Sequence, residues 1–287
     1  MIPRLGTAQT DRGELDGLEW ADGLAFASQG HRIGVRVSAA GYADRIRELL
    51  PPGSRPITSP DVRRLYSLVA ARPTRRKGPR ACHLVYAQSD RIARTSDLEQ
   101  ALLLLESDLQ LYVAEHSRSL VFVHAGVVGW RGRAIVIPGR SYSGKSTLVA
   151  ALVKAGARYY SDEFAPIDAR GRVHPYLVPL RLRQGAGQAP KRVVLTAPGS
   201  ALRPIPVGLI VATRYERGAR WRHRTVTPGR AALEVLKHAV PARRTPGRVM
   251  ERLARLTSRA PLVKGRRGRA TEAARRILEL ADRLAER

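Results

Sequence analysis

Cysteine is nearly absent: Cys82 is the single one in 287 residues. An internal disulfide and a thiolate metal cluster are thereby excluded, and a reducing, cytoplasmic setting fits. Aromatic residues make up 5%, too few for an obvious base-stacking surface. Acidic residues are also scarce, 24 against 51 Lys plus Arg, for a formal net charge of +27. Such a surplus attracts nucleic acid, anionic lipid or acidic peptide. Here the surplus is mostly arginine and dispersed along the whole chain. It therefore reads as a compositional bias that favours acidic partners as a side effect. No apolar run approaches the roughly 20 residues of a membrane span. The first residues, Met1-Ile-Pro-Arg, lack the apolar core of a secretion signal. No repeat and no sustained heptad pattern is present. Neither a membrane nor a nucleic-acid partner is expected.

What the chain does have is an ordinary 44% hydrophobic content and length for one large or two medium domains. Its most informative stretch contains Gly139-Arg-Ser-Tyr-Ser-Gly-Lys-Ser146, which fits G-x-x-x-x-G-K-[ST] without mismatch. Ala134-Ile-Val-Ile137 before it reads as a buried strand. Leu148, Val149, Leu152 and Val153 after it fall on one helix face, and Gly156 suits the helix end. A strand, a glycine loop and a helix form the context of a phosphate-binding loop. Backbone N–H groups cradle the anion, and the helix N-terminus adds partial positive charge. The expected phosphate ligands are Gly139, Ser141, Ser143, Gly144, Lys145, Ser146 and Thr147, with Lys145 on the outer phosphates and Ser146 on Mg²⁺.

Ala157-Arg-Tyr-Tyr-Ser161 then reads as a second strand, ending at Asp162-Glu163. A crossover of this size makes the two strands parallel, so the loop and the acidic pair share one sheet edge. One carboxylate can hold Mg²⁺ while the other accepts a proton from an attacking hydroxyl. His124, closing the apolar run of residues 119–123, precedes a hairpin that turns at Arg131-Gly132 and delivers the chain into the loop. It can contact a phosphate or relay a proton, or it can be structural.

His124-Ala-Gly, the hairpin, the loop from Gly139 to Ser146, and Arg158-Tyr-Tyr-Ser-Asp-Glu163 together resemble the catalytic core of HPr kinase/phosphorylase, a family related to ATP-dependent phosphoenolpyruvate carboxykinase. The short spacing from loop lysine to acidic pair is the telling feature. The resemblance covers about residues 119–170. It implies an α/β kinase core over residues 119–287, preceded by a small α+β lobe over residues 1–118. It also implies ATP and Mg²⁺ as cofactors, and a catalytic set of His124, Lys145 and Asp162. Asp162 would move the proton; Ser146, Glu163 and Asp162 would surround the metal. Tyr142 and Arg140 depart from the glycine and the acidic residue usual in the family, and the later Glu and Arg-Gly signature is missing. Arg181 or Arg183, in Pro179-Leu-Arg-Leu-Arg183, stands near its place as a phosphate contact. These departures point away from HPr as substrate and toward the divergent type found in peptide-modifying gene clusters. The expected acceptor is a serine hydroxyl of a peptide or small protein, and family members assemble, so a homo-oligomer is open. Two other readings stand beside the kinase: a non-catalytic nucleotide-binding module, and a nucleic-acid-binding ATPase suggested by charge alone.

Elsewhere, strands are expected over residues 24–27, 33–37, 82–86, 207–213, 220–226 and 260–263. Helices are expected over residues 42–50, 96–113, 227–239, 246–256 and 272–286. Asp61 is read as the cap of a short helix carrying Leu65, Leu68 and Val69. Ser96 and Glu99 form a capping box for the leucine-striped helix. Leu233, Leu236 and Val240 are expected inward, and the strand over residues 260–263 is followed by a basic stretch from Lys264 to Arg269. Residues 175–204, rich in Pro, Gly and Arg, read as a long loop able to close over substrate, with Arg181, Arg183 and Arg192 available to an acidic acceptor.

Overall fold

The computed structural model describes residues 2–5, 14–71, 81–140, 143–182, 191–195 and 202–286. The chain divides into two compact units, Met1–Arg118 and Ser119–Arg287. Both are mixed α/β, each around a mixed sheet.

In the first unit, β1 (Asp22–Ser28) and β2 (His31–Val37) form a hairpin. Its turn residues Gln29 and Gly30 both take positive φ, 49° and 84°, as a tight two-residue connection requires. Helix α1 (Ala43–Glu48) buries Ile46, and the Asp22 carboxylate accepts the Tyr42 and Ala43 N–H groups at its start. The sheet continues through β3 (Arg55–Pro56), β4 (Arg64–Val69), β5 (His83–Ala87) and β6 (Asp90–Thr95), in the order β3-β1-β2-β4-β5-β6. The short helix expected after Asp61 is thus a central strand. Leu65, Tyr66, Ser67 and Leu68 are all buried. A strand covered on both faces loses its two-residue alternation, and its leucines then mimic helical spacing.

Helix α2 (Leu98–His116) buries Leu102, Leu105, Leu109 and Val113 against this sheet. Its cap is Asp97, one residue later than the expected capping box. The Asp97 carboxylate accepts from Glu99 N at 2.9 Å and Gln100 N at 3.4 Å, while Glu99 reaches Arg45.

Among the described residues, the main sheet of the second unit has eight strands. β7 (Val121–Trp130) and β8 (Arg133–Pro138) are the expected hairpin, with Arg131 and Gly132 both at positive φ. Helix α3 (Lys145–Lys154) follows, then β9 (Arg158–Ser161), β10 (Phe164–Ile167) and β11 (Arg172–Val173). Long β12 (Ile205–Tyr215), β13 (Arg222–Val226), α4 (Pro228–Leu236), α5 (Pro246–Arg259), β14 (Leu262–Arg267) and α6 (Ala270–Ala285) complete it. β8 and β9 both pair antiparallel with β7, so they run in the same direction with β7 between them. β9 and β10 lie along one edge of β7, and β8 lies along the other, where it also pairs in parallel with β12. β12 pairs in parallel with β14.

Alternate residues of β8 serve two cores. Ala134 and Val136 join the cluster with Val235, Val249 and Leu253 of α4 and α5. Ile135 and Ile137 join the cluster with Leu148, Leu152 and Ile277 of α3 and α6. The sheet is therefore covered on both faces. Gly126 permits the α3 side to close: a Cβ there would come within 2.5 Å of Val149 Cγ2.

Two expectations about this unit change. Leu233 is 51% exposed, and α4 turns Ala231, Ala232 and Val235 inward instead. The small alanines allow α4 to sit close to α5, and the larger leucine lies off that stripe. The strand expected to end at residue 263 runs on through the basic stretch to Arg267, with Lys264 paired to Glu234 outside the sheet core and Arg267 turned inward. In the proline-rich segment, Leu180–Leu182 pairs with Lys191–Val193, which sets Arg181 opposite Arg192. Arg183 lies outside the described residues. Among the described residues, no helix is long and apolar enough to cross a membrane.

Candidate functional site

β7 places the site. On one side of its Ala125 lies Pro138, the last residue of β8; on the other, the Ala125 N–H donates to the carbonyl of Glu163 at 3.2 Å. The start of the glycine loop and the acidic pair therefore stand at the same level of the sheet. Asp162-Glu163 directly follows the last residue of β9, as expected. It lies where one strand path breaks into β9 and β10, next to a register irregularity between Tyr159 and Ser161. Such irregularities re-aim side chains. The Ser161 hydroxyl accepts from the Glu163 and Phe164 N–H groups at 3.2 and 3.1 Å and fixes the break.

The loop itself depends on its glycines. Gly144, immediately before α3, has φ of 82°, a left-handed conformation that glycine takes without strain. A Cβ at Gly144 would also meet Arg267 Nη2 at 2.5 Å, and one at Gly139 would meet Ser143 Oγ at 2.8 Å. Ser141 and Tyr142 lie outside the described residues. Thr147 is exposed in the first turn of α3.

Lys145 is 7% exposed and donates from Nζ to the carbonyls of Gly139 at 2.8 Å and Arg140 at 3.1 Å. Burial pulls its pKa below the usual lysine value, with Glu163 and Asp162 opposing the shift. His124 Nε2 lies 3.5 Å from Lys145 Nζ and 3.4 Å from Glu163 Oε1. Asp162 is 6% exposed. Its Oδ2 accepts from Ser146 Oγ at 3.0 Å, and its Oδ1 lies 3.0 Å from the Tyr159 hydroxyl. That hydroxyl also lies 2.8 Å from the carbonyl of Val178. Burial first, and Asp162 second, push the Tyr159 pKa far above its ordinary range, so the phenol stays protonated.

His124, Lys145, Ser146, Asp162 and Glu163 are thus brought together. Among the described residues no group of three or more His, Cys, Asp and Glu could hold a metal. A Mg²⁺ ion shared with phosphates needs only one or two carboxylates, and Ser146 beside Asp162 fits that need.

Tyr159, Ser161, His238 and Arg267 were not anticipated. The His238 carbonyl accepts the His124 N–H at 2.8 Å. Burial, followed by the charges of His124, Lys145 and Arg140, lowers the His238 imidazole pKa, with Glu234 opposing. Arg267 is 2% exposed and donates to the Gly144 carbonyl at 2.8 Å. It holds a permanent positive charge behind the loop. Its neighbours Arg266 and Arg269 give the same local sequence signal, so only the inward direction of Arg267 distinguishes it. A cavity of about 560 Å³ opens on the other flank of the loop, between residues 139–140, the ends of β12 and β14, and α4.

No family model matches the chain, and no curated protein matches it. Among solved structures it is similar to the HPr(Ser) kinase/phosphatase from Coxiella burnetii, at 14% identity, covering 57% of this chain and 97% of that one, with a TM-score of 0.31. The likeness is distant, one of fold alone.

Proposed function

We propose that the chain is an ATP- and Mg-dependent kinase that transfers the γ-phosphoryl group to a hydroxyl, with a serine of a peptide or small protein as acceptor. The observation that supports this most is the joining of Ser146, at the start of α3, to Asp162 at 3.0 Å, across one crossover of the chain. On this reading the free N–H groups at the start of α3 hold the phosphates, and Arg267 adds charge from behind. Lys145 neutralises the outer phosphates. Asp162, oriented by Ser146 and Tyr159, takes the proton of the acceptor hydroxyl as its oxygen bonds to the γ-phosphorus and the β–γ bridging P–O bond breaks, with ADP leaving. His124 lies between Lys145 and Glu163 and steadies both. Ser146, Asp162 and Glu163 would hold Mg²⁺, which when bound supplies charge neutralisation across the phosphates. The groups are positioned before substrate arrives, and positioning with electrostatics is most of what phosphoryl transfer asks of a protein.

A second reading has one observation behind it. Lys145 spends two hydrogen bonds on carbonyls of its own loop, as suits a module in which nucleotide only sets conformation. One experiment separates the two. ADP release from Mg-ATP is measured with and without serine-containing peptides, for the wild-type chain and Asp162→Asn. The kinase predicts acceptor-dependent release and phosphopeptide. It predicts that Asp162→Asn binds nucleotide yet transfers at least about 100-fold more slowly, the scale of general-base catalysis. Nucleotide binding without any acceptor-dependent turnover would favour the non-catalytic module. Transfer by Asp162→Asn at the parental rate would place the base elsewhere.

A further inference from the structure

The strand that carries the glycine loop has different neighbours on its two sides. β7 and, beyond it, β9 and β10 bring His124, Asp162 and Glu163 to one flank. β12 and then β14 form the other flank, and the 560 Å³ cavity lies there. A nucleoside triphosphate laid on the loop with its reacting phosphate toward Asp162 would send its other end to the opposite flank. We propose that this cavity is the nucleoside subsite, with Tyr215 stacking on the base and Glu234 accepting from the ribose hydroxyls. The inference rests on the nucleotide-binding part of the reading above and does not depend on the acceptor.

The volume falls within the roughly 300–1,000 Å³ of small-molecule sites. Tyr215 is 55% exposed, and Arg267 covers one face of its ring, with the guanidinium carbon 5.6 Å from the centroid. A ring held this way offers a fixed stacking surface. Thr213 and Lys264 line the same wall. Glu234 accepts from Lys237 at 2.8 Å and Lys264 at 2.9 Å. Burial alone would raise its pKa, but the two lysines outweigh burial and keep the carboxylate ionised. It still has lone pairs for a hydroxyl donor. The lysines also shield a passing phosphate from the carboxylate. An acceptor peptide fits this flank less well, because Asp162 faces the other one.

The test compares two probes on the full chain by titration calorimetry: Mg-ATP and Mg-tripolyphosphate, which has the phosphates without the nucleoside. Wild type should bind ATP more tightly than tripolyphosphate. Tyr215→Ala and Glu234→Gln should each weaken ATP by about ten-fold. Both should leave tripolyphosphate affinity unchanged. Tyr215 is exposed, so its variant tests binding without disturbing the core, and an unchanged thermal midpoint verifies this. If the ATP-to-tripolyphosphate ratio stays at its wild-type value in both variants, the cavity is not the nucleoside subsite. If tripolyphosphate fails to bind, or binds equally to Lys145→Ala, the phosphate-loop reading itself falls and takes the subsite with it.

Discussion

Asp168 shows how a single carboxylate is used in this chain. It closes the turn between β10 and β11, accepting from Arg170 N at 2.8 Å, Arg172 N at 3.0 Å and Arg172 Nε at 2.9 Å, with His174 Nε2 at 3.2 Å. Burial would raise its pKa; the Arg172 amide and guanidinium, then His174 and the Arg170 amide, outweigh burial and hold it below the ordinary value. A depressed carboxylate pKa contributes stability that is present above its unfolded value, about 3.9, and lost as pH falls through the folded value. Asp168→Asn should therefore cost about 1–2 kcal/mol near neutrality, and the gap to wild type should shrink below about pH 4. Urea midpoints measured from pH 7 to pH 3 check this. A gap that stays constant with pH would show that ionisation of Asp168 contributes nothing. Among site residues, Lys145, Ser146, Asp162, Glu163 and His124 could be named from spacing and motif. Tyr159 and Ser161 could not, because a tyrosine or serine in a strand gives no sign of which carboxylate or amide it will meet.

At the scale of elements, the start of α2 offers two candidate caps in consecutive positions. Ser96 with Glu99 has the pattern of a capping box, but Asp97 makes the contacts, and Thr95 Oγ1 accepts the Asp97 N–H at 3.1 Å. Asp97→Ala should lower stability by about 1 kcal/mol, whereas Ser96→Ala should change it by no more than about 0.5 kcal/mol, as a surface substitution does. Equal losses in thermal unfolding would restore Ser96 to the cap. β4 carries a related lesson. Its leucines at positions 65 and 68 fit a helix as well as a strand, and only burial on both faces of the sheet distinguishes them. Helices with long stripes such as α2, α5 and α6 were legible because their periodicity survives one-sided burial.

For the molecule as a whole, charge is the dominant property. A net +27 predicts retention on a heparin column and release by added salt. Because the arginines are dispersed rather than gathered around the loop, ATP turnover should not change when RNA or DNA is added. Turnover that rises severalfold with nucleic acid would favour the ATPase reading over the kinase. The same dispersal leaves local ion pairs to be decided piece by piece. Glu234 and Asp168 each bridge two basic side chains, whereas Asp61, Glu99 and Glu216 are each held by one arginine.

The sequence by itself determined the glycine loop, the helix that follows it, the hairpin before it and the nearby acidic pair. All of these rest on neighbouring residues: glycine's freedom at positive φ, a 3.6-residue stripe, a two-residue turn. Only the tertiary structure decided that β7 runs between β8 and β9, that Asp162 meets Ser146 and Tyr159, and that Arg267 turns in behind Gly144. Strand order joins residues far apart in the chain, and no local period records which strands will pair. The same pairing opens a cavity beside the loop from Thr213, Tyr215 and Glu234, three residues whose own surroundings in the sequence carry no mark of a site.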